Sequence, residues 1–322
     1  MGVALNAAVG RLRKRLFGIS AAETTSARRG FRGAAAGARE RLEQIGQTFL
    51  HGYHAALEDT APDRLVLRLN AAPIEVRGFA FEGAAMALAL LDQLTPWHRD
   101  RLVRFLSGPG AAHVYMVHIG AGWALARLCR NLDRPLARLD PLLRWLAIDG
   151  YGFHAGYFSW RRFIAERAPA EQLSGYARRV FDQGLGRSLW FVEGADVARI
   201  PATIAAFPQP RHGDLWSGVG LACAYAGGVE RSAIEALRAA AGSYRPHLAQ
   251  GAAFAAKARQ RAGNPARHTE IACVALCDMS ASEAAQITDV VLKDLPFDGP
   301  LPAYAVWRQR IQAQFAKEVT TS

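Results

Sequence analysis

The feature that most constrains this chain is a glycine pattern that recurs from end to end. In the central copy a bulky residue stands four places before a glycine (Leu146, Gly150), a small residue follows two places after it (Gly152), and an aromatic comes next (Phe153). Copies centre on Gly46, Gly78, Gly120, Gly150, Gly184, Gly218 and Gly251, at spacings of 32, 42, 30, 34, 34 and 33 residues. That is the period of helix-pair repeats. All these offsets are expected to share one helix face, with −4, 0 and +3 one above another. A glycine inside a helix costs about 1 kcal/mol against alanine. Seven such costs predict that helix backbones approach closely at these points, with the aromatic filling the adjoining hole.

An apolar residue, a glycine and an aromatic at these offsets also mark the first helix of a tetratricopeptide repeat. The expected fold is therefore all-α, a tetratricopeptide-like helix-pair superhelix of about seven divergent repeats over residues 38–316. A basic N-terminal helix and flexible leader precede it (1–37), and a polar tail follows (317–322). The second-helix alanine and terminal proline of the tetratricopeptide consensus are not regularly met, so a globular all-α bundle or a closed α/α toroid is the alternative. Some copies are imperfect: Arg187 takes the aromatic place in the fifth, and Asp214 and His247 take the bulky apolar place in the sixth and seventh.

Residues 3–17 read as a short basic amphipathic helix, with Leu5, Ala8, Val9, Leu12 and Leu16 on one side. Such a segment packs on its own domain or lies on a membrane surface. Residues 18–37 are rich in Gly, Ser, Thr and Ala and read as the leader. A helix begins near Ala38 and runs to Leu57. Arg64 to Leu69 alternates as an exposed strand would and reads as an extended connector or a small hairpin. Pro73 is expected to open the next helix. Thr95-Pro96 and Asp140-Pro141 read as an N-cap followed by a first-turn proline. Pro169 reads as a breaker with a helix from Ala170; 198–207 and 230–241 read as partner helices, and Asn264-Pro265 with Met279 to Leu292 as a last pair.

With 51% hydrophobic residues and a mean hydropathy of zero, the chain can bury a sizeable core. Its formal net charge of +11 is carried mainly by arginines spread along the chain, as in high-GC bacterial coding. No basic run is interleaved with a motif that reads bases, so nucleic acid is not an expected partner. Cys129, Cys223, Cys273 and Cys277 do not form a zinc-like double pair, so reduced thiols in a cytoplasmic protein, and no metal, are expected. Met1 to Phe17 lacks the long apolar core of a secretory signal, and no uninterrupted apolar span reaches about twenty residues.

His51 and His54 share a helix face but have no metal-binding partner pattern. His118 and His154 lie on aromatic-rich helices with Tyr115, Tyr151 and Tyr157 nearby, where they can line a groove. Glu82 and Glu193 stand in the like segments FAFEGA and WFVEGA, and Asp149 and Asp182 lie just ahead of glycines. There is no nucleophile elbow, phosphate loop or dinucleotide fingerprint, and Gly-x-Gly inside a helix offers no helix N-terminus to phosphate. No cofactor is expected. His118, His154 and Glu82 are the acid–base candidates; Asp149, Tyr151, His154, Tyr157, Tyr115 and Trp123 are the candidate ligand-binding set.

The stretches GFAFEGAAMALALLDQLTPWHRDR, HVYMVHIGAGWALARL, DPLLRWLAIDGYGFHAGYF, QGLGRSLWFVEGADV and DLWSGVGLACAYAGG resemble the bacterial domain-of-unknown-function 1702 family. Its genes accompany enediyne polyketide synthase clusters. The resemblance runs from about Arg29 to Trp307 and carries no catalytic residues with it. It implies a role in making or maturing an enediyne core from a linear polyene, among other enediyne pathway proteins. Two functional classes follow. One is an accessory protein that binds the polyene or scaffolds pathway enzymes; the other is an enzyme acting on the polyene by acid–base chemistry in an apolar channel. A peripheral membrane contact through residues 3–17 is a separate expectation.

Overall fold

The computed structural model describes residues 2–33, 35–95, 97–128, 131–296 and 299–316, without the side chains of residues 2–6. The expectations placed on the Leu5 side chain, Pro96, Cys129 and the tail 317–322 lie outside the described residues. All regular structure among the described residues is helical, in line with the expected all-α class. Two compact units divide the chain: Met1–Gly30, Glu43–Tyr151 and Arg261–Asn264 form the first, and Phe31–Leu42, Gly152–Gln260 and Pro265–Ser322 the second.

The first unit contains α1 (Gly2–Phe17), α2 (Ser26–Arg29), most of α3 (Ala36–Glu58), α4 (Pro62–Asn70), α5 (Arg77–Leu94), α6 (Arg101–Leu106), α7 (Val114–Leu128), α8 (Asp133–Leu136) and the first half of α9 (Arg144–Phe158). Long helices alternate with short ones, and the long ones meet backbone to backbone. A Cβ built on Gly52 would lie 1.9 Å from the Ala80 carbonyl oxygen, and one on Gly83 would lie 1.9 Å from that of Phe49. Gly122 and Gly150 hold the same reciprocal relation to Ala147 and Ile119, each at 2.0 Å. Only a residue without a Cβ fits there, and the close approach brings Cα–H groups onto facing carbonyls.

The second unit holds the start of α3 and the rest of α9, then α10 (Tyr176–Val192), α11 (Arg199–Ala205), α12 (Gln209–Ala226), α13 (Arg231–Ala241), all but the last two residues of α14 (Arg245–Ala262), α15 (Arg267–Cys277), α16 (Ala281–Val290) and α17 (Ala303–Ala316). The same reciprocity joins α10 to α12, where Gly186 meets Leu215 O at 2.1 Å and Gly218 meets Gln183 O at 2.0 Å. It joins α12 to α14 through Gly220 and Leu248 O at 1.9 Å and Gly251 and Ser217 O at 2.0 Å. Arg179 pairs with Asp214 near the helix starts, and Trp190 Nε1 donates to Gly227 O at the ends, so α10 and α12 run the same way.

These contacts sharpen the glycine pattern and correct it in two respects. Residues two apart are rotated by roughly 200° round a helix. In Gly120-x-Gly122 and Gly218-x-Gly220 the first glycine therefore meets the preceding long helix and the second the following one, not a shared face. In the first two copies the close contacts are made by Gly52 and Gly83, six and five residues beyond the expected Gly46 and Gly78. Gly46 faces the Thr24 side chain instead, at 2.8 Å.

Several boundaries differ from the sequence reading. Residues 64–69 are helical, within α4: Leu65 and Leu69 are buried four apart while Leu67 is exposed, whereas a strand would turn all three to one side. Pro73 lies in the turn before α5, its carbonyl accepting from Val76 N. Thr95 closes α5, with Oγ1 donating to Leu91 O at 2.6 Å; α6 instead starts where the Asp92 carboxylate accepts from Arg101 N and Leu102 N. Asp140 does cap, Oδ1 accepting from Leu142 N and Leu143 N ahead of α9. Helix α9 ends at Phe158, and a short π-helical stretch, Arg161–Ala165, precedes Pro169; α10 begins at Tyr176, after Gly175 at φ +53°, and not at Ala170.

Candidate functional site

The candidates singled out in the sequence occupy several different settings. In the first unit Trp123 Nε1 donates to Glu82 Oε1 at 3.1 Å, both residues are buried, and the Trp123 ring packs on Phe49 at 4.4 Å. His118 is buried, its Nδ1 2.7 Å from Val114 O; the carbonyl can only accept, so Nδ1 carries the proton. Burial lowers the His118 pKa, which keeps the ring neutral, and its Nε2 has no hydrogen-bond partner. Asp149 is fully buried, and Tyr115 and Tyr151 are half-buried. In the second unit Tyr157 is buried among Phe31, Phe153 and Phe191, and the half-buried His154 ring lies 4.7 Å from Phe158. The Glu82 and Trp123 pairing and the Tyr157 cluster are packing arrangements.

The residues that depart from the glycine pattern do converge. Asp214 and His247 replace the apolar residue four places before the glycine on α12 and α14, and Gln183, Ser217 and Gln250 immediately precede the glycines of α10, α12 and α14. The last three are completely buried. Helix α17 adds Tyr304, Arg308 and Gln312.

At the centre is the carboxylate of Asp214, held between two guanidinium groups. Oδ2 accepts from Arg179 Nε at 3.0 Å, and Oδ1 lies 2.9 Å from Arg308 Nη1. Arg308 is only 2% exposed. Its Nε donates to Gln250 Oε1 at 3.2 Å and its Nη1 to the Tyr176 hydroxyl at 3.4 Å. Gln250 Oε1 also accepts from Ser217 Oγ at 2.9 Å and Gln312 Nε2 at 3.2 Å. An arginine can only donate, so the Gln250 amide is oriented with its oxygen toward Arg308. Beside this node Gln183 Nε2 donates to Tyr304 OH at 3.2 Å, and the Tyr304 ring packs against Tyr176, Phe254 and Trp307.

Two donors of the node are left over. Arg308 Nη2 and Gln250 Nε2 are buried and have no hydrogen-bond partner, and His247 Nδ1 is in the same condition. Burial, followed by the charge of Arg308, lowers the His247 pKa to about 4, so its ring is neutral near pH 7. Two guanidinium groups against one carboxylate leave one positive charge in excess among Arg179, Asp214 and Arg308. An unfilled buried donor costs about 1–3 kcal/mol, and folded proteins leave few. Arg308 Nη2 and Gln250 Nε2 belong to adjoining side chains, and an N–H donor is satisfied by an oxygen acceptor such as a carboxylate or a polarised carbonyl. Cys223 is buried and its thiol is pushed up by that burial; Cys273 and Cys277 are buried as well. Among the described residues no three His, Cys, Asp or Glu side chains are grouped to hold a metal.

The polar residues before the glycines were the available signal for this node. What hid it was α17, because no glycine repeat marks the segment that delivers Arg308.

A family model described as protein of unknown function (DUF1702) matches residues 8–315. The chain belongs to that family. Comparison with curated proteins and with solved structures returns no match. In this DUF1702 protein the matched span includes every residue of the node and the described side chains of α1 from residue 8 onward. Among the described residues no helix is long and apolar enough to cross a membrane.

Proposed function

We propose that this DUF1702 protein is an accessory protein of enediyne biosynthesis that binds a linear polyene intermediate by an oxygen-bearing end. The observation that carries the reading is the pair of unfilled donors, Arg308 Nη2 and Gln250 Nε2, on adjoining side chains of the buried node. A carboxylate or carbonyl oxygen would fill both. The rings of Tyr176, Tyr304, Phe254 and Trp307 pack on one another beside the node and give it an apolar flank, which suits a conjugated chain. The polyene and the pathway come from the family resemblance. Binding is favoured over acid–base catalysis because Glu82 is engaged by Trp123 and the His118 proton by Val114 O.

The test is titration of the full chain with a fluorescent conjugated tetraene fatty acid, with its methyl ester alongside. Saturable one-to-one binding is expected, weaker for the ester. The informative variant is Gln250→Glu. It keeps an oxygen for Arg308, Ser217 and Gln312 while replacing the free N–H pair by a second oxygen beside Arg308. The fold should be retained or stabilised and affinity should fall at least about tenfold. Absence of saturable binding, or equal binding by Gln250→Glu, would overturn the proposal.

A further inference from the structure

We infer that α1 is a docking surface for an anionic lipid bilayer. Helix α1 meets its own unit along one side. A Cβ on Gly10 would lie 2.1 Å from Glu58 O, Lys14 Nζ pairs with Glu58 Oε1 at 2.6 Å, and the Tyr53 hydroxyl donates to Phe17 O at 2.8 Å. Gly10 and Lys14 stand one turn apart, so this side faces the end of α3.

The apolar stripe is turned the other way. Val9, Leu12 and Leu16 are exposed, the two leucines at 56% and 64%, with Arg11 and Arg15 exposed beside them. A surface helix ordinarily turns such a stripe toward its core. Residues 2–18 carry four cations, Arg11, Arg13, Lys14 and Arg15, and no acid.

Helix α4 shares Glu58 with α1. Helix α4, which exposes Leu67, is tied to Glu58 by Arg68 at 2.7 Å. The highly exposed Trp97 stands four residues before Arg101. Of the eleven exposed large hydrophobic residues among those described, nine belong to the first unit, the unit that contains α1.

Charge selects the occupant. Two copies of α1 would set Arg11 and Arg15 against Arg11 and Arg15, whereas an anionic bilayer supplies the opposite charge together with an apolar layer for Leu12 and Leu16. An exposed tryptophan suits the same interface.

The experiment is co-sedimentation of the full chain with vesicles of phosphatidylglycerol and phosphatidylcholine in equal parts, and with phosphatidylcholine alone. Binding to the anionic vesicles is expected, falling as salt rises. Arg11→Gln with Arg15→Gln should lower the partition coefficient about thirtyfold, at about 1 kcal/mol for each charge. Leu12→Glu with Leu16→Glu should abolish binding at an unchanged thermal midpoint, because both side chains are exposed. Should that pair unfold α1, the arginine pair and the uncharged vesicles still decide. Three outcomes would overturn the inference: no binding at low salt, equal binding to uncharged vesicles, or a dimer that the leucine variant converts to monomer.

Discussion

Replacing Gly218 by alanine tests the close packing of the long helices most directly. The new Cβ would lie 2.0 Å from Gln183 O and 2.6 Å from Arg187 N, both backbone atoms of α10. Ordinary contact begins at 3.4 Å, so the two helices must part by about 1.4 Å at their crossing. A gap of even 1 Å forfeits about half of the dispersion energy of the contacts it opens. Overpacking of this kind costs about 1–3 kcal/mol, and a backbone obstacle places it at the upper end. Better helix propensity returns about 1 kcal/mol, leaving a net loss of about 2 kcal/mol. The assay is urea unfolding followed by far-UV circular dichroism and by fluorescence, with Trp190 and Trp216 buried in the two helices concerned. Gly37→Ala is the control: nothing lies within 4 Å of its Cβ position in the first turn of α3, so stability should be unchanged or rise by up to about 1 kcal/mol. Gly186 meets Leu215 O at the same crossing, so adding Gly186→Ala should cost less than it does alone, because the helices have already parted. A Gly218→Ala protein as stable as the parent, or strict additivity of the pair, would refute the reasoning.

Two further outcomes follow from buried charge. Asp214→Asn leaves the Arg308 guanidinium buried without its counter-charge and should cost about 3–5 kcal/mol in urea unfolding, with part recovered when Arg308→Met is added. His113 is buried and stacked on Phe81 at 3.9 Å, and burial, then Arg77, lowers its pKa to about 4. Between about pH 6.5 and 4 the unfolded chain therefore takes up the proton that the folded chain refuses, so this contribution is complete above about pH 6.5 and lost as pH falls toward 4. It amounts to about 3 kcal/mol, and His113→Phe should flatten that acid limb in unfolding measured from pH 7 to 4.

The helical class and the place of most long helices were legible because a glycine inside a helix is costly and needs a reason. Gly120, Gly150, Gly218 and Gly251 supplied it where expected. The early register was missed because Gly46 fits the offsets, whereas Gly52, with Thr48 four places before it and Ala55 three after, and Gly83, with Met86 in the aromatic place, do not; only the contact partners mark them. Arg64 to Leu69 misled through its alternation, which α4 resolves by burying residues four apart.

The acid–base candidates were chosen as polar or aromatic residues on glycine helices, which is also what packing requires; Glu82, Trp123 and Tyr157 are used that way. The node in the second unit was half visible, since Asp214 and His247 already stood out as misfits in their copies. Its other half depended on α17, well outside the repeat in sequence.

The sequence by itself determined the all-α class, the close helix spacing and the family, because these rest on local periodicity and on residues near one another in the chain. Only the tertiary structure decided that Arg308 reaches Asp214 and Gln250, and that α1 turns its leucines outward. Both depend on which segments distant in sequence are brought together, and local offsets carry no record of that.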